Sequence, residues 1–129
     1  GAASVSEIER YNILAATFTA MRRAIESLNA TPDTALIDGN QLPSGLPCAG
    51  RTVIRGDNLS LSIAAASIFA KVTRDRIMTS LSQRYPGYYW DRNAGYGTKQ
   101  HQDGLAALGV TCHHRHTYGP IAKILSLED

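Results

Sequence analysis

Apolar residues recur along the chain with two different spacings. From about Ser6 to Leu28, the positions Ile8, Tyr11, Leu14, Ala15, Phe18, Met21, Ile25 and Leu28 return every three or four residues. That spacing predicts one amphipathic helix. Ser6 could cap it, while Ser4 with Glu7 three residues on would form a capping box. "NATPD" ends it, because the residue before a proline is pushed out of the helical region. "TALID" is short, apolar and bounded by turn residues, so it predicts a buried strand ending at Asp38. "RTVIR" predicts the next strand, running up to "GDN", after a loop rich in glycine and proline. From about Ser60 to Arg84 the chain is rich in Ala, Ile and Leu and has neither Gly nor Pro, which predicts the longest helix. An aromatic loop, "YPGYYWDRNAGYGTK", follows. Thr98 then caps a helix over "KQHQDGLAAL" that Gly109 ends, and Pro120 opens a last helix, "PIAKILSL".

Strands alternating with helices predict an α/β fold with parallel pairing. Two strands alone make a marginal sheet, and parallel strands are normally covered on both faces. The pattern therefore reads as part of a larger sheet.

Composition alters this picture little. The 129 residues suit one domain, and 43% hydrophobic with 19% charged residues is ordinary for a packed globular chain. A formal charge of +2 is compatible with a phosphate-bearing partner without demanding one. Cys48 and Cys112 lie far apart in sequence and form no CxxC, which favours reduced thiols and a cytoplasmic setting. No run of ~18 apolar residues suggests a membrane span.

The acids bring in chemistry. In an open α/β sheet, ligands gather at the carboxyl ends of the strands. If the two strands are adjacent and parallel, ~5 Å apart, Asp38 and Asp57 both project from that edge. Such a pair can hold hard divalent cations with substrate phosphate oxygens, an arrangement that suits phosphodiester hydrolysis. Asp-Gly and Gly-Asp are also plain turn formers, and Asp57 could simply cap the long helix. Asp75, far along that helix, reads as a surface partner for Lys71 or as packing against a neighbouring loop. "CHHRH" lacks a second ligand pair for zinc, so His114, Arg115 and Thr117 read as donors to a phosphate or carboxylate. In "AGYGTKQH", Tyr96 could stack on a base or sugar while Lys99 meets a phosphate. Equally, Tyr96 could pack its loop onto the body.

Taken together, "EIERYNIL", "LIDGN", "RGDNLSLSIAAASIFAKVTRD", "AGYGTKQH" and "HHRHTYGP" resemble ribonuclease HII, in this order and near its usual spacings. The resemblance implies a ribonuclease H-like α/β fold. It also implies an endonuclease that uses Mg²⁺ or Mn²⁺ to cut the RNA strand of RNA–DNA hybrids and single ribonucleotides in duplex DNA. Two of that family's active-site carboxylates fall on Asp38 and Asp57. Its ribonucleotide-sensing tyrosine falls on Tyr96, beside the 2′-hydroxyl that separates RNA from DNA. Lys99, His114 and Arg115 are expected to help hold the strand.

The family's opening "DExGRG"-like motif and its Ser-Lys-Lys loop find no match. The chain thus resembles roughly the carboxy-terminal two thirds of such a protein, lacking its first antiparallel strands and the other metal-binding acids. On that basis it is expected to be inactive alone and to need the missing amino-terminal segment in cis or in trans. The alternative is a fragment that binds hybrid without cutting, or one that self-associates through an exposed sheet edge.

Overall fold

The computed structural model describes residues 1–126. Their element order is α1 (Val5–Tyr11), α2 (Ile13–Glu26), β1 (Thr34–Asp38), β2 (Ala49–Val53), α3 (Gly56–Leu59), α4 (Leu61–Arg84), α5 (Trp90–Asn93), α6 (Lys99–Leu108) and α7 (Gly119–Leu125). This is an α/β chain with a parallel pair of strands. Residue 127, the end expected for the last helix, lies outside the described residues. Among the described residues no helix is long and apolar enough to cross a membrane. The chain divides into two compact units, 1–66 and 67–129, the division falling within α4.

In the first unit, the single helix expected over 6–28 is two helices. Asn12 breaks it, with φ 75° and ψ 168°, and its Oδ1 accepts from Leu14 N at 3.0 Å and Ala15 N at 3.1 Å. A side chain that caps the second helix thus outcompetes the continuous hydrogen-bond ladder, although the apolar spacing runs straight through. The capping box forms at Ser4 and Glu7. Arg23 reaches back to Glu7 Oε1 at 2.6 Å and to Ala2 O at 2.8 Å, clasping α1 to α2. Hydrogen bonds from Arg23 and Ser4 hold the Glu7 carboxyl at about 2.

β1 and β2 pair in parallel, Thr34 with Ala49 through to Asp38 with Val53. Alternation along β1 buries Ala35 and Ile37 and turns Thr34, Leu36 and Asp38 outward. With Ala16 and Ile63 these form the unit's small buried core. β2 is shifted from the expected "RTVIR": it begins at Ala49 and stops at Val53. Arg55 then turns left-handed, with φ 55° and ψ 41°, which ends the extended run two residues early.

The second unit packs around Tyr88, Trp90, Leu105 and Ile121, with Met78, Leu81, Tyr85, Val110, Ile124 and Leu125 against them. Gly104 of α6 sits directly on the Gly87 carbonyl, an approach that no side chain would permit. The aromatic loop contains one helical turn, α5, flanked by left-handed Tyr89 and Ala94. Tyr88 and Trp90 are core residues, whereas Tyr89 remains 42% exposed.

Candidate nucleic-acid-processing site

Asp38 closes β1, so its carboxylate stands at the carboxyl end of a parallel strand, exposed. Its Oδ1 accepts from the Gly56 N–H at 2.8 Å. Asp57 is the next residue. It is not at a strand end, as the shifted β2 shows, but in the first turn of α3. Asp57 Oδ1 accepts from Asn58 N at 3.0 Å. The left-handed Arg55 folds the chain back sharply enough for the Gly56 amide to meet the end of the neighbouring strand. Non-glycine residues in that region cost about 1–2 kcal/mol, and such positions tend to cluster at functional sites.

Gly56 makes the approach possible. A Cβ there would lie 2.5 Å from Ile63 Cδ1, 3.3 Å from Val53 Cβ and 3.4 Å from Asp38 Oδ1. Ile63 is only 5% exposed, so it has little room to yield. Gly56→Ala is therefore expected to cost about 1–3 kcal/mol through overpacking. Thermal unfolding followed by circular dichroism checks this; an unchanged midpoint would mean that Ile63 repacks freely.

The charge environment of the two acids differs from that of Asp75, Asp91 and Asp103, although Asp33 likewise has no ion-pair partner among the described residues. Asp75 meets Lys71 at 2.6 Å, Asp103 meets Lys99 at 2.9 Å and Asp91 lies 3.9 Å from Arg92. Among the described residues neither Asp38 nor Asp57 has an ion-pair partner. Also among the described residues, no three His, Cys, Asp or Glu side chains are grouped closely enough to hold a metal ion.

The remaining candidates lie in the second unit. Ala94 and Gly95, with φ 47° and 80°, form a left-handed pair that presents Tyr96, 60% exposed. Arg74 Cζ lies 5.4 Å from the Tyr96 ring centroid. Buried Asn93 shapes this turn. Its Nδ2 donates to Tyr88 O and its Oδ1 accepts from Gly95 N, both at 2.8 Å. Lys99 opens α6, exposed and paired with Asp103. Arg115 stacks over the Tyr118 ring at 4.8 Å.

His114 stands differently from its expected role as a donor to a ligand. Its ring is 6% exposed. Nε2 lies 3.1 Å from His101 Nε2, and Nδ1 accepts from Thr111 N at 3.0 Å. Burial, followed by repulsion from His101, lowers its pKa to about 4, so the ring is neutral near pH 7. It is a core group beside Arg115, not a surface donor. Trp90 reads from sequence as a packing residue, as its burial bears out, while Asn93 and His101 carry no sequence signal that marks them as site residues. The one local signal is the turn-forming composition of Asn93-Ala94-Gly95.

A family model described as Ribonuclease HII matches residues 2–119. The Ribonuclease HII of Gluconobacter oxydans (strain 621H) is 57% identical over 128 residues, which is 99% of this chain and 61% of that protein. That of Rhodospirillum rubrum is 58% identical over 126 residues, or 98% of this chain and 57% of its own length. For Ruegeria pomeroyi the values are 56% over 126 residues, 98% and 54%. The chain thus spans between 54% and 61% of the length of these three relatives. With a match of this extent and identity, the chain belongs to the ribonuclease HII family.

Proposed function

We propose that the chain contributes two carboxylates and a strand-holding surface to an endonuclease for RNA–DNA hybrids and for single ribonucleotides in duplex DNA. One observation carries the reading. The carboxylate ending β1 is hydrogen-bonded to the amide beside Asp57, and neither acid is neutralised by a lysine or arginine among the described residues. Two un-neutralised oxygen ligands suit a hard cation such as Mg²⁺ or Mn²⁺, which binds through one or two carboxylates plus substrate phosphate oxygens. Asp38 and Asp57 would hold it. A cation bound there supplies positive charge to the phosphate and lowers the pKa of attacking water.

The chain's other groups position the nucleic acid. Gly56 N–H keeps one oxygen of Asp38 engaged and so fixes the direction of the other. Tyr96, exposed on its left-handed turn, offers a ring face to the sugar beside the ribose 2′-hydroxyl. Lys99 and Arg115 meet phosphates, and His114 supports the segment that bears Arg115.

Residues 1–129 alone are expected to cut little or not at all, because two carboxylates are few ligands for a site that must also bear a phosphate's negative charge. The measurement is Mg²⁺- or Mn²⁺-dependent cutting of a duplex with one embedded ribonucleotide. It is made with the chain alone and after adding the part of the Gluconobacter oxydans protein outside the match. Cutting only in the mixture supports the reading. Vigorous cutting by the chain alone would refute the ligand-count argument.

A further inference from the structure

Three buried rings in the second unit, those of Trp90, His101 and His114, have proton positions that can be read from fixed donors. The Thr111 amide can only donate, and it donates to His114 Nδ1 at 3.0 Å. The Thr111 hydroxyl accepts from His113 N at 3.2 Å, leaving its own proton for the same Nδ1 at 2.9 Å. His114 Nδ1 is therefore the bare nitrogen, and a neutral ring then carries its proton on Nε2. That proton points to His101 Nε2, 3.1 Å away, so His101 Nε2 must accept. Trp90 gives the same answer independently. Its indole N–H, a donor only, lies 3.2 Å from the same His101 Nε2. The two donors share one lone pair, so the proton of His101 resides on Nδ1. From there it donates to the carbonyl of Tyr96 at 3.0 Å.

The order of protons thus runs from Thr111 through His114 and His101 to Tyr96, with Trp90 fixing the middle. Trp90, His101 and His114 are 2%, 5% and 6% exposed. In such surroundings a mispaired donor is costly, so the order is firmly set. Asn93 grips the amide of Gly95 on the other side of Tyr96. Thr98 N also donates to the Tyr96 carbonyl, at 2.8 Å.

We infer that His101 and His114 are positioning residues for Tyr96: a relay of fixed tautomers that holds the Tyr96 backbone while its ring, with Arg74 near one face, stays exposed to the nucleic acid. The functional half of this inference rests on the reading of Tyr96 given above. The relay itself does not.

The first test needs no variant. Long-range ¹H–¹⁵N correlation spectra of residues 1–129 near neutral pH report which ring nitrogen is protonated. The expected result is Nε2–H for His114 and the less common Nδ1–H for His101. Nε2–H on His101 overturns the relay. His114→Phe removes the donor and is expected to shift the amide signals of Tyr96 and Gly97. His114→Gln restores an N–H donor and is expected to return them towards their original positions. Unmoved signals in both variants overturn the positioning role.

The second test is the affinity of residues 1–129 for a ribonucleotide-containing duplex, read by fluorescence anisotropy. Tyr96→Ala is expected to weaken it about tenfold, as loss of one stacking ring does. His114→Phe should weaken it too, but add nothing in the Tyr96→Ala background, because coupled residues are non-additive. A full additional loss in the double variant overturns the positioning role. No loss with Tyr96→Ala overturns the reading of Tyr96 and leaves the tautomer spectra to decide the relay, so the two failures stay distinguishable.

Discussion

Asp57→Asn, in the chain mixed with the unmatched part of the Gluconobacter oxydans relative, is expected to slow ribonucleotide-directed cutting by roughly 10²–10³-fold. This is the size expected for losing one preorganised electrostatic group at a reacting centre. Folding should barely change, because Asp57 is exposed and an asparagine oxygen can still accept from Asn58 N. Asp38 separates the two effects. Asp38→Asn keeps an oxygen for the Gly56 amide and should lose cutting with little loss of stability. Asp38→Ala leaves that buried-residue amide without its acceptor, at a cost of about 1–3 kcal/mol, and loses cutting as well. Cutting rates on a single-ribonucleotide duplex, paired with thermal midpoints for the three variants, check the order. Undiminished cutting by Asp57→Asn would remove that residue from the site.

Gly104→Ala should produce the largest loss of stability. An added Cβ would overlap the Gly87 carbonyl oxygen and stand 3.2 Å from both Gly87 C and Tyr88 Cα. All three are backbone atoms, which cannot swing aside as the end of a side chain can. Tyr88 is itself 3% exposed, and its carbonyl takes the Asn93 amide that also shapes the turn at Gly95. Relief would therefore have to move α6 or the core turn. Overpacking of this kind costs about 3 kcal/mol. For a unit of this size that is a fall of roughly 10–20 °C in thermal midpoint. Gly119→Ala is the control, since nothing lies within 4 Å of a Cβ there. Equal midpoints for the two variants would contradict the close packing of α6 on the turn.

Local signals made much of this architecture legible. "TALID" folds as the strand its bounded apolar run predicts, and Ser4–Glu7 and Thr98 cap helices as their spacing requires. Lys71 and Asp75 pair one helical turn apart. What sequence could not convey depends on competition or on distance. At Asn12 a capping side chain overrides an unbroken apolar period. At Arg55 a left-handed residue of no special type ends β2 early and moves Asp57 off the strand. The approach of Gly56 to Asp38 spans 18 residues, and that of His101 to His114 spans 13. No periodicity connects positions so separated. "CHHRH" invites a reading as surface donors, but tertiary burial takes one of its rings into the core.

The bend at Asn12 limits what heredity can write at that codon. Its backbone lies in a region that glycine alone adopts with ease and that most side chains avoid. Its carbonyl-type oxygen must also reach two amides of the following turn. Glycine meets the first demand and serine the second, while asparagine and aspartate come close to both. Tyr11 and Ile13, half exposed on either side, face no such double requirement. The corner between the first two helices is thus stored in one letter whose neighbours carry no such constraint.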